Sequence, residues 1–146
     1  MTSLPNDTPA QFDVVLAADL ENIEAVVDAV TAGALNAGLD QRSASEVALA
    51  ACEAVTNIIV HALGSDPQQS FRVCVGQAGD ALVVRFEDPG PPFDPDAVAA
   101  VDLRAPLAER PVGGLGWLLI RRYCDEVRME RSAQTNILTL VRRRKT

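Results

Sequence analysis

Hydrophobic residues fall along this chain in distinct rhythms, and each rhythm predicts a different element. Residues 12–18, FDVVLAA, are a short apolar and β-branched run that predicts a strand. From Asp19 the period lengthens: Leu20, Ile23, Val26, Val27 and Val30 recur at three and four residues, with Asp19 able to cap a helix and Gly38 able to stop it. A second helix is predicted to open at Ser43 or Ser45, ahead of Glu46, and to run through Leu63 until Gly64 ends it. Residues 71–76 and 81–87 read as two strands joined through the turn Gln77-Ala78-Gly79-Asp80, hence a hairpin.

The segment DPGPPFDPD, from Asp88 to Asp96, is too dense in proline and glycine to continue a strand and is a loop. A short helix at 94–100 behind Asp94 and a mobile stretch at 101–113 with no period follow. Residues 116–123 then form an apolar helix, and 125–131 and 136–143 form two more strands. The order β, α, α, β, β, α, β, β has mostly hairpin-paired strands and too few helices to cover both faces. It predicts an α+β two-layer sandwich, its sheet mixed but mainly antiparallel, with the helices on one face.

Composition narrows the class. At 146 residues, 48% hydrophobic and 23% charged, the chain has the size and make-up of one folded domain. Its limits are drawn at residues 12–143, between a flexible N-terminus at 1–11 and a basic tail at 144–146. A net charge of −7 repels phosphate backbones, so nucleic acid is a poor partner. The run Arg142 to Lys145 reads as a solvated end rather than a binding patch. Cys52, Cys74 and Cys124 lack metal or redox spacing and read as small buried hydrophobes in a reducing compartment. Residues 1–11 lack the features of a signal peptide, and no segment approaches the eighteen apolar residues of a membrane span, so a cytoplasmic protein is expected.

Three polar groupings stand out. On the second helix, Glu46, Glu53, Asn57 and His61 fall in one narrow stripe, beside the small Ala50 and Ala54. By itself such a stripe reads as a face turned to water. Asp88 ends the apolar strand VVRFE, where its carboxylate suits an exocyclic amine and Gly90 lets a flat ring approach; a capped proline turn explains the same residues. Gly113, Gly114 and Gly116 precede a helix, which makes either a phosphate site or a hinge. His61 reads as a packed or hydrogen-bonded helix residue, not a catalytic one.

The order of the three is more specific than any one. E-x-x-x-N on a helix, D-x-G-x-x-F after a strand and G-x-G before a short helix resemble the GHKL ATPases, the group of gyrase, histidine kinases and MutL. EAVTNIIVHAL (53–63), DPGPPFDP (88–95) and GGLGWLLI (113–120) together resemble the anti-sigma-factor serine kinases of bacterial partner-switching systems, and CDEV followed by TNILTL looks like that family's final hairpin. The resemblance implies a GHKL-type sandwich that binds Mg-ATP. It assigns Asn57 to Mg²⁺, Glu53 to the general base, and Asp88, Gly90, Phe93, Gly113, Gly114, Leu115 and Gly116 to the nucleotide. Thr139 resembles a position that supports adenine through a water, and it is equally an ordinary strand residue. Arg104 or Arg110 is implied as a lid arginine. The resemblance further implies a homodimer whose partners are a STAS-type anti-anti-sigma antagonist, phosphorylated on serine, and a sigma factor or other effector. An ATP-gated binding module without phosphotransfer is the alternative. Two positions depart from the family's pattern: Pro92 replaces a second loop glycine, and Trp117 replaces a smaller aliphatic.

Overall fold

The computed structural model describes residues 10–93 and 114–145. Strand β1 (Ala10–Ala17) leads through a short 3₁₀ turn, Leu20–Asn22, into helix α1 (Ile23–Asn36) and helix α2 (Gln41–Thr56). A π-helical turn, Asn57–Ala62, continues α2. Then come the hairpin β2 (Ser70–Ala78) and β3 (Ala81–Asp88), helix α3 (Gly114–Tyr123), and the hairpin β4 (Glu126–Ser132) and β5 (Thr135–Arg143). Among the described residues the five strands form one sheet in the order β1-β2-β3-β5-β4, with every pair antiparallel. The expected mixed sheet is therefore purely antiparallel there. The α+β sandwich with its helices on one face stands.

Alternation along the strands decides which face is covered. Phe71, Val73 and Val75 of β2, Leu82, Val84 and Phe86 of β3, and Leu138 and Leu140 of β5 are buried in one cluster with Val26, Val30, Val47, Val55, Ile59, Trp117 and Ile120 of the helical layer. Burying side chains of this size contributes roughly 1.5–3 kcal/mol each before chain entropy is subtracted. The opposite face carries a smaller apolar group, Cys74, Ala81, Val83 and Val141. Around it lie ion pairs, Arg72 with Asp13 across two strands at 2.7 Å and Arg85 with Glu87 along β3 at 3.2 Å. The guanidinium of Arg72 also holds Asp13 down at about 2.

Several expected boundaries move for local reasons. Helix α2 begins at Gln41, not at Ser43 or Ser45, because Asp40 is the N-cap: its carboxylate accepts from the Ser43 N–H at 2.7 Å. The β2–β3 turn is Gly79-Asp80 alone, since Ala78 already pairs with Ala81 and Gly79 takes φ +63°. The C-terminal basic run is not all tail. Strand β5 continues to Arg143, so alternation turns Arg142 inward, where it is 7% exposed and donates to Tyr123 O, Ser43 Oγ and Glu46 Oε1. Arg143 pairs with Glu126. Cys74 and Cys124 are buried as expected, whereas Cys52 is half-buried.

The stretch Gln41–Ala62, α2 with its π turn, is 22 residues long and reaches a mean hydropathy of 1.3, which by length and composition meets the test for a membrane span. This departs from the sequence expectation. Over half of its most apolar 18-residue window, 56%, is buried inside the protein, as a core helix that packs on a sheet must be. The short helix expected at 94–100, the stretch 101–113, Gly113, Arg104, Arg110 and most of residues 1–11 lie outside the described residues.

Candidate functional site

The site is built around the end of α2. Thr56 Oγ1 donates back to Cys52 O at 2.7 Å, and the β-branched run Ile58-Ile59-Val60 follows at once; both disfavour a tight α turn. The helix widens there, so that Leu63 N–H reaches Ile58 O at 2.9 Å, a five-residue step. Wide turns of this kind gather at functional sites. Asn57 opens the turn, and its Nδ2 is buried without a partner among the described residues. An orphaned buried amide is costly unless a ligand answers it, and a half-turn about its terminal bond presents the oxygen instead.

Asp88, at the end of β3, is 5% exposed. Its Oδ1 accepts the Gly90 N–H at 2.8 Å and Asn136 Nδ2 at 3.2 Å. Among the described residues none donates to Oδ2, so that oxygen is left for a ligand. Gly90 is needed because a Cβ there would lie 2.8 Å from Asp88 Oδ1 and 2.9 Å from Ala62 Cβ. The loop is thus pressed onto the π turn.

Opposite them, Gly116 brings α3 against α2. A Cβ on Gly116 would stand 2.8 Å from Glu53 Oε2 and 3.7 Å from Asn57 Nδ2. The glycine run and the helix stripe therefore meet, although they are distant in sequence. Phe93 and Trp117 stack at 5.2 Å between centroids and 16° between planes. Between these parts lies a cavity of about 160 Å³, whose wall includes Asn57, His61, Asp88, Phe93, Trp117, Met129, Asn136 and Leu138. Aromatic and aliphatic walls with a few convergent polar groups suit a flat heterocycle with a polar tail.

The structure brings together Asn57, Asp88, Gly90, Phe93 and Gly116, with Glu53 beside Asn57 but not on the cavity wall. Gly114 begins α3, and Leu115 is 42% exposed and off the wall. Thr139 does not join them. Even-numbered residues of β5 face the helices, so Thr139 lies on the far side of the sheet, opposite Arg85 and Arg128. Glu46 is also separated from the stripe, held by Arg142, which keeps its carboxyl below the usual range. His61, expected to be packed or hydrogen-bonded, is exposed and lines the cavity.

Asn136 is the site residue that sequence reasoning passed over. It is 3% exposed and donates to Asp88 Oδ1, Gly90 O and Pro91 O. An asparagine at an inward strand position was the available signal. Arg131 supports it from β4, donating to Asn136 Oδ1 at 2.9 Å and Gly90 O at 3.1 Å.

The sequence matches the family described as "Histidine kinase-like ATPase domain" across residues 16–142. The chain belongs to this family. Two solved structures share the fold of this histidine kinase-like ATPase domain. One is the SiaB–SiaC complex from Pseudomonas aeruginosa, at TM-score 0.66 and 18% identity over 90% of this chain and 89% of that one. The other contains the RsbU and RsbW domains of Rv1364c from Mycobacterium tuberculosis, at TM-score 0.61 and 18% identity over 93% of this chain; this chain spans 32% of that one. A comparison with curated proteins finds no match. An ATPase domain takes ATP, and the cavity offers polar and flat apolar surfaces side by side: the Asp88 carboxylate, the Phe93 and Trp117 rings and the Asn57 amide, with Gly116 close to that amide. Among the described residues no cluster of three His, Cys, Asp or Glu offers a self-sufficient metal cage. Asn57 alone fits Mg²⁺, which takes few protein ligands when nucleotide phosphates supply the rest.

Proposed function

We propose that the chain is an ATP-dependent protein serine kinase of the partner-switching kind, which phosphorylates a serine of a STAS-type antagonist and otherwise binds a sigma factor or another effector. The observation that carries this reading is the meeting of Glu53, Asn57 and Gly116 beside a cavity whose wall holds both Asn57 and Asp88. Asp88 would accept the adenine amine, and the first N–H groups of α3, which have no helical partner, would face phosphate. Asn57 would hold Mg²⁺, which when bound neutralises charge on the transferring phosphoryl group. Glu53, one turn before Asn57, would accept the proton of the attacking serine hydroxyl. Fold likeness to the SiaB–SiaC complex supports a protein partner, and fold likeness to the RsbW-containing structure supports the same class of regulator. Homodimerisation and a cytoplasmic location belong to this proposal.

One observation favours a second reading, an ATP-gated binding module. The Glu53 carboxylate packs over Gly116, off the cavity wall. Radiolabelled ATP with the cognate antagonist separates the two. A kinase labels the antagonist, and Glu53→Gln abolishes labelling while ATP still binds. Absence of label with the native chain and the correct antagonist would sink the kinase and leave the module.

A further inference from the structure

Asp88 can report the identity of a base only if its carboxylate is held in place and cannot swing away from a group that repels it. A carboxylate accepts and never donates, and a free one rotates between equivalent faces. Here rotation is blocked from β4 and β5. Asn136, 3% exposed, spends its amide hydrogens on Asp88 Oδ1, Gly90 O and Pro91 O, at 3.2, 3.3 and 2.8 Å. Its own oxygen is held by Arg131 Nη1 at 2.9 Å, and the same Nη1 reaches Gly90 O at 3.1 Å. The register makes this possible: Asn136 lies opposite Asp88 in one ladder and opposite Arg131 in the other, so the three stand abreast across β3, β5 and β4.

We infer that Arg131 and Asn136 form a staple that holds the Asp88 carboxylate fixed toward the base, unable to swing away from a repulsive group, and so determines selection of a 6-amino purine over a 6-oxo purine. The inference rests on the nucleotide reading above. With Oδ1 saturated by the Gly90 N–H and Asn136, only Oδ2 is offered, and it can accept an amine hydrogen but meets a 6-oxo group with like partial charge. Removing the staple frees the carboxylate to swing away from an oxo group and the loop carbonyls of Gly90 and Pro91 to shift, so the penalty against the oxo purine falls. Arg131 and Asn136 are positioning residues, since each acts through Asp88 or its loop.

The test is equilibrium binding of ATP and of inosine triphosphate, which differ at the 6-position, to the native chain and to Arg131→Met and Asn136→Ala. Arg131 is exposed, so its variant keeps the fold even where the buried Asn136 variant does not. The native chain is expected to prefer ATP by about a hundredfold or more. Arg131→Met should narrow that preference about threefold to tenfold, and Asn136→Ala by tenfold or more, chiefly by tightening or sparing the inosine nucleotide relative to ATP. Equal weakening of both nucleotides in Arg131→Met, or an unchanged ratio, overturns the staple's selective role and leaves nucleotide binding standing. A native chain that binds neither nucleotide overturns the nucleotide reading, and the staple with it.

Discussion

Gly116→Ala and Gly90→Ala insert the same methyl group at nearly the same distance from a neighbour, yet they should have opposite consequences. A Cβ on Gly116 meets Glu53 Oε2 at 2.8 Å, with Glu53 Cβ and Asn57 Nδ2 at 3.6 and 3.7 Å. Only the carboxylate tip is too close, and it must retreat by about 0.6 Å to reach ordinary contact. Swinging one flexible side chain off its preferred rotamer costs roughly 0.5–1.5 kcal/mol. Replacing glycine with alanine inside a helix returns roughly 0.5–1 kcal/mol. The two nearly cancel, so thermal unfolding should stay within about 3 °C of the native chain. A Cβ on Gly90 instead meets Asp88 Oδ1 at 2.8 Å, Ala62 Cβ at 2.9 Å and Ala62 O at 3.2 Å. Two of these belong to a helix turn that has no free rotor, so overpacking should cost about 1–3 kcal/mol and lower the unfolding midpoint by about 3–10 °C. Calorimetry on both variants checks the pair, and phosphotransfer on Gly116→Ala checks the site: with Glu53 displaced, labelling should fall at least tenfold while ATP affinity stays within about threefold. A midpoint for Gly116→Ala as low as that for Gly90→Ala would refute the distinction between a yielding neighbour and a fixed one.

Other parts of the molecule give independent tests. Arg142→Met removes bonds to Tyr123 O, Ser43 Oγ and Glu46 Oε1 and leaves the Glu46 carboxylate with the longer 3.7 Å contact to exposed Arg42, so denaturant titration should show about 2–3 kcal/mol of lost stability. Asp13, held at about 2 against 3.8, binds a proton more readily when unfolded; its share of stability is full above pH 4 and is lost as the pH falls toward 2. Asp13→Asn should therefore flatten the unfolding midpoint against pH across that window. Burial pushes the Cys124 thiol up to about 12, so iodoacetamide at pH 8 should spare it in the native chain and modify it after denaturation, as peptide mapping will show.

What the sequence made legible follows from which forces are local. The three and four-residue apolar period of α1, the turn glycines and the two hairpins depend on neighbours along the chain, and they were readable to within a few residues. Asp40 displaced Ser43 and Ser45 as the cap because its carboxylate takes the Ser43 N–H and so starts the helix earlier, and only the path of the backbone after Gly38 brings it there. The glycine and aspartate boxes were legible through their order alone, since each by itself also fits a hinge or a capped turn, and the fold brings Asp88 and Gly116 to the neighbourhood of one cavity. The support of Asp88 was not legible. Thr139, left open between a base-supporting position and an ordinary strand residue, falls on the far face and Asn136 on the near one: one residue along a strand exchanges the faces of the sheet, and the parity of β5 is set by its pairing with β3 and β4 rather than by its own sequence. Arg142 was misread for the same reason, as its burial depends on a strand that continues into the basic run.

The wide turn at Asn57–Ala62 amounts to one residue more than a regular helix needs, and this makes the site sensitive to chain length rather than to side-chain identity. Shortening the segment by one residue would let an ordinary helix form, turning everything after the deletion by about 100° around the axis while leaving the buried half of α2 undisturbed. Ala62 would then no longer meet Gly90, and His61 would leave the cavity wall. The helix thus works as a vernier: its first four turns register on the sheet, and the added residue sets the angle at which its end meets the aspartate loop.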